Sequence, residues 1–327
     1  MALFAATMLT KEQFRETITS LGWPWAWGGV GLYFIAQTGL ASRWVLLLRV
    51  HSVSISLFQA IKLTYLGLFY NNMMPGAVGG DLLKGWYITH HSDRHLRLEA
   101  AVTVFVDRLV GLIGMILVGA LASLFIGPEV RFRGFQIRWL VWAMFVVMVL
   151  VAIVFLSRRI RRALMLNHLL DRLPLARRLK QIDQAIRIYR LHIPTMVTAL
   201  AMTALLQGLA VVAVWMLTRA MGLVDVSFLQ CLIVMPIIWV ISAAVPVPGG
   251  WGVLELCITY LFSLVIMPEA PNSDDARGYA GALALLYRVM ICFCSLPGAL
   301  VPLFGGHLPK VGEMEEEMEN DEMEVQE

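Results

Sequence analysis

The chain has 327 residues, 59% of them apolar and only 15% charged, with a mean hydropathy of +0.73 and a net charge of +3. A soluble domain carries about 25% charged residues, and a single core of this length cannot hide so much apolar surface, so lipid must solvate much of it. A soluble catalytic domain is excluded, and so are the alternating strands of an outer-membrane barrel. The composition fits an all-α integral membrane protein, because helices satisfy their backbone hydrogen bonds internally and can span.

In chain order, residues 1–22 read as a short polar lead without a cleavable signal. A membrane domain is expected over 23–305. Its first span covers about 25–48, with Trp23, Trp25 and Trp27 as an interfacial belt and Arg43, Trp44 and Arg49 marking the other end. An apolar stretch at about 55–70 stops at NNMMPGAVGGD, residues 71–81. A polar segment follows to Glu99, and then spans at about 100–126 and 137–156.

Residues 157–193 hold nine Arg and one Lys against two Asp, a net of +8. The positive-inside rule makes this segment cytoplasmic, and its spaced Leu and Ile predict surface helices held on anionic lipid headgroups rather than on nucleic acid. Further spans are expected at about 194–217, 228–244, 252–267 and 278–304. The loop 267–278 carries three acids and one Arg, as suits the outer side. Residues 306–327 form an acidic tail, with nine acids and no base from Glu313 onward, read as disordered and cytoplasmic.

The informative feature is a repeated interruption. MPGAVGGD ends at Asp81 and VPVPGGWGVLE ends at Glu255; each is followed by a span with an arginine, Arg108 or Arg288. The acid-to-arginine spacing is 27 in one half and 33 in the other. Proline breaks a helix and glycine permits close backbone approach. Freed backbone groups at membrane depth are tolerated only inside protein or along a wet cavity. Paired Gly/Pro-broken segments therefore point to a transporter-like binding site, with half-helix N-termini facing an anion such as a phosphate headgroup. Ordinary turn loops are the plainer alternative. Charge balance favours two inverted halves, each with a re-entrant helix. The first would be 55–90, dipping in from the cytoplasm, and the second 228–267, dipping in from outside. This topology puts the N-terminus outside and implies one more span ahead of residue 1.

Asp107, Arg108 and Arg288 lie within spans, with Asp81 and Glu255 beside the breaks. Such charges must pair or face water. Asp107 with Arg288, or Asp81 with Arg108, would be salt bridges between halves; alternatively the arginines hold a lipid phosphate while the acids gate. Asn71 and Asn72 either line the cavity or cap a helix end. Cys231, Cys257, Cys292 and Cys294 have no metal spacing. His90, His91 and His95 beside Asp93 read as interfacial rather than metal-binding, so no metal and no cofactor is expected.

NNMMPGAVGGDLLKGW (71–86), VFVDRLVGL (104–112), AVPVPGGWGVLE (244–255) and YRV (287–289), with Arg43-Trp44, resemble the flippase-like membrane domain of lysylphosphatidylglycerol synthases. Stand-alone relatives of that domain include the YbhN-like and archaeal AglD-like proteins. The resemblance spans about 25–305. It implies site positions at Asn71 or Asn72, Pro75, Gly79, Gly80, Asp81, Asp107, Arg108, Pro248, Gly249, Gly250, Gly252 and Glu255. Asp107 stands where relatives often carry Glu.

In the bifunctional synthases that domain is thought to move a modified lipid between leaflets, while a separate domain makes it. No transferase domain appears here, so the expectation is a cytoplasmic-membrane protein that binds and flips a phospholipid or lipid-linked glycan and is not itself an enzyme. A synthase or a second copy of the chain would be its partner. The alternatives are a membrane-embedded transferase with Asp81 or Glu255 as base, and a lipid-binding scaffold that transports nothing.

Overall fold

A computed structural model describes residues 19–73, 79–90, 97–125, 131–132, 135–156, 188–189, 191–245, 247, 250–268, 270–271 and 273–304. The described residues form nine helices and a hairpin of two two-residue strands, Arg131–Phe132 and Phe135–Gln136. The helices are α1 (Trp23–Arg49), α2 (Leu57–Met73), α3 (Gly79–His90), α4 (Arg97–Ala122), α5 (Ile137–Leu156), α6 (Ile193–Ala220), α7 (Phe228–Ala244), α8 (Val253–Ile266) and α9 (Asp274–Phe304). A helix lies over each stretch expected to span. The segment read as polar between Asp81 and Glu99 begins as α3, which runs to His90. Most of 157–193, the lead at 1–18 and the tail at 306–327 lie outside the described residues.

Four helices, α1, α4, α6 and α9, are long and apolar enough to cross a membrane. The helices around the breaks are shorter. α2 and α7 have 17 residues each, α3 has 12 and α8 has 14. At 1.5 Å per residue, α8 reaches only about 21 Å against a hydrocarbon core of about 30 Å.

The centre of the bundle is α1 packed along α6. The two run antiparallel: Gly22 meets Ala220, Gly29 meets Ala213, Gly39 meets Leu206 and Arg43 meets Thr203. Small residues make this possible. A Cβ on Gly29 would stand 2.9 Å from the Ala213 carbonyl. In lipid there is no hydrophobic drive between helices, so such close backbone approach carries the association. Around this pair the contacts cross between halves: α2 packs on α9, and α7 packs on α4. On the second of these seams, Pro236 cannot donate to the Leu232 carbonyl four residues back, and Gly119 of α4 fits against that interrupted turn.

The α2–α9 seam rests on Gly298, where an added Cβ would run into the Tyr65 backbone carbonyl. Replacing Gly298 by Ala is therefore expected to cost about 1–3 kcal/mol and to lower the unfolding midpoint in detergent. Gly31→Ala, at an open position on α1, should leave that midpoint unchanged or raise it slightly.

Candidate functional site

The first break separates α2 from α3. Asn71 at the end of α2 accepts the Gly80 N–H on Oδ1 at 2.8 Å, so one of the free donors at the α3 N-terminus is capped from the preceding helix. Gly80 itself lies against Gly67 of α2, where any side chain would meet the Gly67 carbonyl. Glycine at this position lets the two arms pack closely. Asp81 sits in the first turn of α3, where the helix dipole favours a carboxylate, and accepts from Nε of Arg108 in α4. One turn on, Lys84 holds its ammonium 5.4 Å from the Trp44 ring centroid; among the described residues no carboxylate pairs with it.

The second break separates α7 from α8. Gly250 and Gly252 have φ of +64° and +85°, a conformation that L side chains rarely adopt, so these two glycines are required by the turn itself. Glu255 accepts the Gly252 N–H on one oxygen at 2.7 Å and Arg288 Nε on the other at 2.5 Å. Arg288 also donates to the Gly250 carbonyl at 3.3 Å and stacks over Trp251, its guanidinium 4.7 Å from the ring centroid. The Trp251 indole in turn donates to the Asn72 carbonyl at 3.0 Å. One hydrogen bond thus joins the end of the first break to the middle of the second, and the two interruptions meet. Asn72 is buried, and among the described residues its Nδ2 has no partner.

The expected pairing between halves takes another form. Asp81–Arg108 forms, but within the first half, and Arg288 pairs with Glu255 within the second. Asp107 does not reach Arg288. Adjacent residues on a helix point about 100° apart, so with Arg108 turned to Asp81, Asp107 faces α1 and takes Arg43. Arg43 was read as marking the end of the first span; it is instead buried, 4% exposed, and ties three helices together. Its Nε donates to Asp107 Oδ1 at 2.9 Å, its Nη2 to the Asp107 carbonyl at 3.2 Å and its Nη1 to Thr203 of α6 at 2.9 Å.

Three contributors were not singled out from sequence: Lys84, Trp251 and Thr203. Trp251 lay inside the quoted PGGWG motif, and Arg43 was already a charge six residues inside a span; both carried a readable signal. Thr203 carried none. Gly79 begins α3. Pro75, Pro248, Gly249, His91, Asp93 and His95 lie outside the described residues.

The two acid–arginine pairs occupy corresponding positions but differ in exposure. Arg288 and Glu255 are each 5% exposed at the side chain, whereas Arg108 is 49% and Asp81 16%. In the first half Lys84 shares its surroundings with Arg43, Arg108, Asp81 and Asp107, three cations against two carboxylates. The second-half pair is balanced and sealed.

Removing Arg288 leaves Glu255 charged and buried, so Arg288→Ala is expected to cost about 3–5 kcal/mol and to cut the yield of folded protein. Arg108→Ala removes a half-exposed arginine from a less buried pair, and its unfolding midpoint should fall by less than that of Arg288→Ala.

Comparison with known proteins places the chain. It is 30% identical over 95 residues to the UPF0104 membrane protein PH1989 of Pyrococcus horikoshii, a match spanning 29% of this chain and 28% of that protein. No solved structure matches it. The family model described as lysylphosphatidylglycerol synthase TM region matches residues 1–298. With apolar spanning helices, two joined breaks and this match over most of its length, the chain is a membrane protein of the lysylphosphatidylglycerol synthase TM family.

Proposed function

We propose that this protein binds the anionic headgroup of a phospholipid or lipid-linked glycan at the first break and carries it between leaflets, without an enzymatic step of its own. The observation that carries the reading is the unlike condition of the two arginines. Arg288 is saturated by Glu255, the Gly250 carbonyl and the Trp251 face. Arg108 has one partner on Nε, and among the described residues its two terminal nitrogens have none. A half-exposed guanidinium with a planar fork, near an ammonium that no carboxylate among the described residues pairs with, suits a phosphate monoester or diester. The N-terminus of α3 adds oriented N–H groups and a positive dipole end to the same region. Asp81 competes with the phosphate for Arg108 and so lets the headgroup leave.

The helix lengths support re-entrant arms at both breaks, since α2, α3, α7 and α8 are short for a full crossing. The antiparallel course of α1 and α6, which open the two halves, together with the reciprocal α2–α9 and α7–α4 contacts, supports an inverted arrangement. In this reading the protein sits in the cytoplasmic membrane. The basic segment 157–193 rests on anionic lipid at the cytoplasmic face, the acidic tail is on that same side, and a lipid-modifying synthase or a second copy is the partner.

Reconstitution into vesicles containing a headgroup-labelled anionic phospholipid gives the test. The purified chain should speed exchange between leaflets over protein-free vesicles, and Arg108→Ala combined with Lys84→Ala should slow it at least tenfold while the protein stays folded. Equal exchange with and without folded protein, or full activity in the double variant, would count against the proposal.

A further inference from the structure

A second polar cluster lies where α1, α4 and α6 converge, away from both breaks, and the proposed function does not use it. His51, two residues beyond α1, is 5% exposed, and among the described residues neither of its ring nitrogens has a hydrogen-bond partner. Glu99, in the first turn of α4, likewise buries Oε2 without a partner among the described residues. Tyr189 packs edge-on against the imidazole, with centroids 4.9 Å apart, and donates its hydroxyl to the Leu47 carbonyl at 3.3 Å. His192, at the start of α6, is exposed and has Nδ1 3.0 Å from the Ile188 carbonyl. Arg49, the nearest charge on the segment that carries His51, is exposed in the last turn of α1.

A neutral imidazole offers one donor and one acceptor, and burial of both without partners is disfavoured. A carboxylate oxygen accepts only. One proton reconciles the two groups, because an imidazolium has two donors and an ionised Glu99 is their natural acceptor. We propose that His51 and Glu99 form a proton-binding site, with the described arrangement its neutral-imidazole state. Uptake of a proton draws the ring to Glu99 and repacks the end of α1 against α4.

The position gives this movement a route into the bundle. Arg43 and Leu47 lie four residues apart on one face of α1, and His51 follows in the turn that closes that helix. Tyr189 spans His51 and Leu47, and Asp107, the partner of Arg43, acts on Tyr189 electrostatically. A shift at His51 therefore bears on the helix that carries the Arg43–Asp107 pair.

Burial holds the His51 pKa below its ordinary value of 6.5; Glu99 pulls it up and His192 pushes it down. The unfolded chain thus binds the proton first as pH falls. Stability attributable to this site is fully present above pH 6.5 and is lost as pH drops toward the folded-state value.

The test follows the unfolding midpoint of the full chain in detergent micelles by tryptophan fluorescence, from about pH 8 to about pH 5. The unaltered chain should lose several degrees in a one-proton step below pH 6.5, and His51→Gln should abolish the step. Glu99→Gln should move it to lower pH, because the attraction that raises the His51 pKa is gone. His192→Gln should move it the other way. A step that survives His51→Gln overturns the proposal, as does a variant that lowers the midpoint equally at every pH, which marks a packing role. If His51→Gln does not fold, Glu99→Gln decides: an unmoved step refutes the site.

Discussion

An arginine placed inside an apolar helix must be neutralised by the protein, because a charge left in hydrocarbon costs at least about 2.5–3.5 kcal/mol. Arg43, Arg108 and Arg288 each meet that demand with a carboxylate from another helix. The pairs fix which helices are neighbours: α1 to α4 and α6, α3 to α4, and α8 to α9. Small residues then let the helices close. Gly111, one turn from Asp107, leaves the Arg43 guanidinium lying against bare backbone.

The breaks obey the same accounting for the backbone. Asn71 takes the Gly80 N–H and Glu255 takes the Gly252 N–H, so each short helix begins with a capped donor. The two solutions are chemically different. In the second half a single carboxylate both caps α8 and neutralises Arg288. In the first half the cap is a neutral amide, which leaves Asp81 free to serve Arg108 alone. The opening at the first break follows from that division of labour.

Burial follows as well. Glu255 is held from two sides and Arg288 from three, and both are sealed. Asp81 and Arg108 hold each other by one contact and remain partly open, with Lys84 adding an uncompensated positive charge. The two halves thus differ in exposure and in charge balance although their motifs read alike. The Trp251–Asn72 hydrogen bond joins the two breaks.

The sequence by itself determined the membrane class, where the apolar helices fall and that two breaks interrupt them, because apolar run length and the Pro/Gly signals are local properties. It also held the acid–arginine spacings that turned out to be the real pairs. Tertiary structure alone decided that these pairs lie within halves, that Asp107 belongs to Arg43 and that Gly80 serves packing. Which of two adjacent residues on a helix faces which neighbour depends on how the helix is rotated in the bundle. That rotation is set by contacts with residues such as Thr203 and Trp251, far away in the chain, which no local pattern records.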